Sequence, residues 1–127
     1  MMDEAVKERV AEYIAAKRNK LEIEWQRQVF DAIMVLAQEP EITLRNKVEI
    51  ARQAFQAAQK INMDSDLMVR YSYLHEANRI QKQYASCMDE QRERKVYYRM
   101  YDHFEEHALP LIRQEIHGRQ GSIWDGF

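Results

Sequence analysis

The sequence predicts an all-α fold, because the residues that interrupt helices are nearly confined to its C-terminal end. All three glycines fall in the last ten residues, at Gly118, Gly121 and Gly126, and the only prolines are Pro40 and Pro110. Glycine and proline destabilise helix interiors, so their scarcity permits long helices. Tight hairpin turns need residues that accept positive φ, which argues against strands. We expect three or four long helices in an antiparallel bundle, followed by a short aromatic tail.

The first helix is expected over residues 3–38. Its apolar residues recur on one side at helical spacing: Val6, Val10, Ile14, Leu21, Trp25, Val29, Ala32 and Leu36. The polar run at 17–20 dilutes this stripe without a helix-breaking residue, which allows a bend or a solvated middle there. Pro40 ends the helix, since the residue before a proline is disfavoured in the α conformation.

The second helix is expected to begin after Thr43, as its N-cap, and to end near Asn62. It has the clearest apolar face in the chain, formed by Leu44, Val48, Ala51, Phe55 and Ala58. A third helix with a broad apolar face, capped by Asp64 or Ser65, is expected to run to about Cys87.

The polar run at 89–95 is either a turn or a solvated stretch of one continuous helix, and the pattern does not choose between them. A fourth helical segment then carries Val96, Met100, Phe104, Leu111 and Ile112. Pro110 predicts a kink or a break in this segment, and Gly118 is expected to end it. The predicted organisation is a helical domain over residues 1–117 and a glycine-rich tail over 118–127.

The composition is typical of one globular domain. The 127 residues are 46% apolar and 31% charged, and the formal net charge of −2 gives no general argument for binding nucleic acid or a membrane surface. The single cysteine, Cys87, excludes an intramolecular disulfide and a cysteine-based zinc cluster, and we expect a buried, inert thiol. The N-terminus has no apolar signal sequence and the apolar runs are too short to span a bilayer, so we expect a cytoplasmic protein without membrane contact.

The apolar faces of the second, third and fourth helices are wider than a monomer of this size needs. Each covers about 180° of the helical projection, against roughly 100° for a helix that only lies on a core. The excess predicts a self-association surface and a homodimer. A well-filled monomer with one central helix is the alternative.

Arg70, Asn78 and Gln81 form a polar row within the apolar face of the third helix. Buried polar groups must be paired, so the row predicts an internal hydrogen-bond network, a wet cavity or a polar interface. Alternatively the helix is rotated, so that this row lies at the rim and other side chains point inward: Val69, Tyr73, Ile80 and Tyr84.

Residues 103–107 match the H-x-x-E-H order of inverted zinc peptidases, with His103 and His107 on one side of a helix. Those enzymes need a third ligand far downstream within a large domain, and only twenty residues follow here. The Glu-x-x-His pairs of di-iron bundles, phosphate-binding glycine loops and nucleophile elbows are missing. We therefore expect no enzyme, metal or cofactor, with a hydrogen-bonded core His107 beside a surface His103. Metal-dependent activity at these histidines is the one enzymatic alternative.

Basic and aromatic residues are interleaved at 95–101, and helical register places Tyr98 and Arg99 on the outside. Tyr and Arg are common anchors of protein interfaces, so these two residues are expected to contact a protein partner. The same mixture can stack bases and hold phosphates. A nucleic-acid-binding accessory protein that uses residues 92–99 is therefore the alternative.

The C-terminal tail carries three large apolar residues within five positions: Ile123, Trp124 and Phe127. Burial of one such side chain is worth roughly 1.5–3 kcal/mol, so all three are expected to dock. Either the segment folds back after Gly118 and covers the end of the bundle, or it presents its aromatic side chains to a partner or a sister subunit.

Together these patterns favour a small, self-associating helical protein that acts by binding another protein, as an adaptor, a regulator or an inhibitor of the immunity type. The partner-binding residues are expected to be Tyr98, Arg99, Ile123, Trp124 and Phe127.

Overall fold

The all-α prediction is confirmed by a computed structural model, which describes the backbone of residues 2–124 and the side chains of residues 4–119. Across residues 2–124 the chain contains helices and no strand. The α-helices are α1 Met2–Lys20, α2 Glu24–Ala37, α3 Leu44–Lys60, α4 Asp66–Lys82, α5 Glu90–His103 and α6 Leu109–Trp124. A short 3-10 helix, Ala85–Cys87, follows α4, and a π-helical turn, Phe104–Ala108, joins α5 to α6.

The first predicted helix is in fact two, so the prediction of one helix over residues 3–38 is wrong. The chain leaves helical geometry at residues 21–23, where Leu21 is buried and its carbonyl accepts a hydrogen bond of 2.7 Å from Nε of Arg27. Arg18 and Asp31 form a two-bonded ion pair, at 2.8 and 2.9 Å, that ties α1 to α2. These contacts come from tertiary structure, which explains why the sequence showed no helix-breaking residue there.

Helix α2 lies at the centre of the packing, against α3, α5, the π-helical turn and α6. Its residues are mainly apolar from Val29 onwards. Its buried side chains point in most directions around the helix axis: Trp25, Val29, Phe30, Ala32, Ile33, Met34, Leu36 and Ala37. By contrast, α1 is mainly exposed over residues 4–9, including Val6, and contacts the core through half-buried Tyr13 and Ile14. The stripe predicted for the first helix is therefore core-facing only in its second half.

Capping residues set the starts of α3, α4 and α5. The side chains of Thr43, Ser65 and Asp89 accept hydrogen bonds from the third backbone N–H after them, at 3.1, 3.2 and 2.7 Å. Thr43 confirms the predicted cap of the second helix, and Ser65 was one of the two candidates for the third. The polar run at 89–95 is the cap and the first turns of α5, which begins a new helix.

Pro110 does not break the helix that contains it. The irregularity lies just before it, in the π-helical turn, where the N–H of Leu109 donates to the carbonyl of Phe104, five residues earlier. Gly118 does not end the helix either, because α6 continues to Trp124, so that prediction is wrong. The side chains of Ile123, Trp124 and Phe127 lie outside the described residues, and their docking stays a prediction.

Candidate functional site

A buried carboxylate, Glu39, joins the α2–α3 connection to α5. Its side chain is only 2% exposed. Arg92 donates to Oε2 from Nε at 2.7 Å and contacts it through Nη2 at 2.6 Å, while Nη2 of Arg99 donates to Oε1. The arginines are seven residues apart, or two helical turns, so they project from one side of α5. Asp89 caps this helix on the backbone N–H of Arg92, which fixes where the cluster begins.

The two arginines also line a surface groove. The groove has a volume of about 350 Å³ and is lined by Arg92, Lys95, Tyr98 and Arg99. Tyr98 and Arg99 are exposed, as predicted, and the Tyr98 side chain is 58% exposed. Three of the four lining side chains are cationic and two of them are paired with Glu39, so the lining keeps an excess of positive charge beside an aromatic ring. We call it the α5 groove.

A second distinctive surface is the outward side of α4. Leu67 is 74% exposed, Tyr71 is 65% exposed and Met68 is exposed beside them. The rings of Tyr71 and His75 stack with their centroids 6.3 Å apart. Large apolar side chains in such a contiguous group are unusual for a solvated helix face. We call Leu67, Met68, Tyr71 and His75 the α4 patch.

The polar row of α4 is divided rather than assembled into one network. Arg70 is half-buried and donates to the hydroxyl of Tyr101 at 3.0 Å and to carboxylates of Asp66 and Glu105. Gln81 is buried and donates to the carbonyl of Glu93 at 2.6 Å. Asn78 is exposed, so the prediction that all three are buried is wrong.

For Arg70 and Asn78 the cause is the rotation of the helix that the sequence left as an alternative, whereas Gln81 stays buried. The inward side chains of this region are Val69, Tyr73, Ile80 and Tyr84. At the start of α4, Asp66 also accepts two hydrogen bonds from Arg113 of α6, at 2.9 and 3.1 Å. These bonds from Arg113, followed by the one from Arg70, lower the pKa of Asp66 below its ordinary value. The Arg70 end of α4 is therefore held by ion pairs, whereas Asn78 and Gln81 line a surface pocket of about 290 Å³ together with residues of α5.

His103 and His107 lie close together, but the burial predicted for them is reversed. Their ring centroids are 4.5 Å apart across the π-helical turn. His103 is half-buried with Nε2 3.1 Å from Oε1 of Gln28, whereas His107 is exposed. Burial, and then the nearby His107, lower the pKa of His103 below its ordinary value. Among residues 4–119, no group of three or more His, Cys, Asp or Glu side chains is placed to hold a metal ion.

Other polar features were not predicted from the sequence. Gln53 and Gln83 bond to each other at 2.8 and 3.1 Å, and Arg79 donates to Gln53 at 3.1 Å, which links α3 to the end of α4. Cys87 is exposed, so the prediction of a buried thiol is wrong: the 3-10 helix that follows α4 turns it to the surface. Nothing in the local sequence marks Glu39 as buried, because its partners lie more than fifty residues away.

Comparisons with family models, with curated proteins and with solved structures find no match for this chain. Within the described residues, no helix combines the length and the hydropathy that crossing a membrane requires.

Proposed function

We propose that this chain is a small helical protein that acts by protein–protein interaction and associates with itself. The observation that carries the proposal is the pair of surfaces on neighbouring helices, the α4 patch and the α5 groove. Each places large apolar or aromatic side chains in solvent, and the second adds arginine. Aromatic residues and arginine contribute most of the energy in protein interfaces.

Self-association is assigned to the α4 patch. Its exposed residues recur three or four positions apart, so they form one strip along the helix. Burying one large apolar side chain contributes roughly 1.5–3 kcal/mol, and a two-fold interface buries each residue twice. On this proposal the wide apolar face predicted for α4 has two roles: one side faces the core, and the exposed side packs against a second copy.

Replacing Leu67 and Tyr71 with glutamate should turn the proposed dimer into a monomer, because four charges would enter the two-fold interface unpaired. Light scattering and sedimentation equilibrium at micromolar protein should give twice the chain mass for the wild type and the chain mass for the variant. Gln56→Glu on α3 is the matched control, since it adds a charge at an exposed position away from the patch.

Circular dichroism should show the same helix content in all three proteins. A wild-type protein that is monomeric throughout this concentration range, or a variant that still dimerises, would rule out the α4 patch as the self-association surface.

Nucleic-acid binding is the second candidate function, and the excess positive charge of the α5 groove is the observation that favours it. A phosphate-binding surface would retain the protein on heparin and release it steeply as salt rises. Nucleic-acid binding is the weaker candidate, because the whole chain has a net charge of −2 and would be repelled by phosphate.

A further inference from the structure

We propose that the α5 groove binds an acidic segment of a partner protein, in which a carboxylate meets Arg92 and Arg99 and a neighbouring apolar side chain covers Tyr98. This inference rests on the proposed function and names the chemistry of the partner at one of its two surfaces. Four side chains of α5 line the groove, and the buried Glu39 contacts two of them.

Both arginines retain donors for a second carboxylate. A guanidinium group has five N–H donors, and the bonds to Glu39 use Nε and Nη2 of Arg92 and Nη2 of Arg99. About half of each arginine side chain remains exposed. The outer edges of the two guanidinium groups can therefore bind an incoming anion while their inner edges stay on Glu39.

Glu39 pre-organises the two arginine side chains for binding. Because its carboxylate is buried and bonded to both arginines, it holds two long side chains in place before any ligand arrives. Ordering such a side chain on binding ordinarily costs about 0.5–1.5 kcal/mol, and here that cost is already met within the fold. The planar fork of a guanidinium group matches the geometry of a carboxylate.

The remaining side chains define what stands next to that carboxylate. Lys95 lies one turn from Arg99 and adds a third positive charge, so the groove keeps its attraction for acids after Glu39 is counted. The exposed ring of Tyr98 offers an apolar surface on the same side. An acidic residue beside an apolar or aromatic one fits this combination.

The surroundings of the groove favour a short peptide segment over a nucleic acid. Asp102 follows Tyr98 by one turn on the same side of the helix and is exposed, and exposed Glu41 follows Glu39 by two residues. A phosphate backbone is charged at every unit and would meet these carboxylates on leaving the groove, whereas a peptide can place one acidic side chain in the groove and uncharged side chains beside them. A volume of about 350 Å³ lies at the small end of ligand sites and accommodates a few side chains.

The test is an NMR titration of the full chain with three probes: a short peptide with one glutamate between phenylalanines, its glutamine counterpart, and oligothymidylate. The glutamate peptide should shift the Nε–H resonances of Arg92 and Arg99 and the ring resonances of Tyr98, and the glutamine peptide should not. Arg99→Gln should weaken the glutamate peptide about tenfold or more, as expected for losing a charged hydrogen bond.

Lys82→Gln is the matched control, because it removes one positive charge from an exposed position on α4. It should leave the affinity for the glutamate peptide within about twofold of the wild-type value. If the peptide were held only by general charge attraction, both variants would weaken its binding equally. Equal weakening, or tighter binding of oligothymidylate than of the glutamate peptide, would overturn the inference. A monomeric protein in the α4 experiment would leave this titration unchanged, so the two proposals fail separately.

Discussion

Replacing Phe104 with alanine is expected to destabilise the fold by about 3–5 kcal/mol, the usual cost of removing a buried aromatic side chain. Phe104 is fully buried at the start of the π-helical turn. Its ring lies parallel to that of Tyr73, with the centroids 4.0 Å apart and an interplanar angle of 8°. The substitution would open a cavity between α4 and the π-helical turn, and urea denaturation measures the loss.

Tyr98→Ala serves as the control for this variant, because it also removes an aromatic ring but from an exposed position. Its stability should stay within about 0.5 kcal/mol of the wild type. Equal losses for both variants would contradict the placement of Phe104 in the core. The hydroxyl of Tyr73, which donates to the carbonyl of Met100 at 2.8 Å, is a smaller contribution of about 0.5–1.5 kcal/mol that Tyr73→Phe would remove.

The second large effect is expected when both arginines that hold Glu39 are replaced. Arg92→Gln combined with Arg99→Gln leaves a buried carboxylate without a cation, for which a loss of about 2–4 kcal/mol is expected. This figure is below that for a fully buried pair, because both arginines are about half exposed to solvent. Urea denaturation at neutral pH provides the measurement.

Adding Glu39→Gln to that double variant provides the decisive comparison. The triple variant no longer buries an unpaired charge, so it should recover a large part of the lost stability, even though it carries one more substitution. A triple variant that is no more stable than the double variant would show that the cost came from lost side-chain packing instead of from the carboxylate.

Much of the fold could be predicted because its signals are local. The scarcity of glycine and proline argued against strands, and Thr43 and Ser65 act as caps through bonds to backbone groups three residues away. The break at residues 21–23 was missed for the opposite reason. It depends on the burial of Leu21 and on Arg18 bonding to Asp31, contacts between separate helices that no local pattern records.

The candidate site divides along the same line. Helical register alone placed Tyr98 and Arg99 on the surface, and the structure has them there. The sequence did not decide which side of α4 faces the core. Apolar residues lie on both sides of this helix, so periodicity does not identify the buried one. Glu39 could not be recognised from the sequence, because a buried acid is identified only once its arginines are known, and those belong to α5, beyond α3 and α4.

The claim that this chain acts by binding another protein is tested most directly by photo-crosslinking in the organism that encodes it. A photoreactive amino acid would replace Tyr98 in the α5 groove, or Gln56 on α3 as an exposed control. We expect a discrete protein adduct at position 98 that is absent at position 56, is lost with Arg99→Gln and is blocked by the glutamate peptide. The same adducts at both positions, or adducts at position 98 that consist only of nucleic acid, would contradict it.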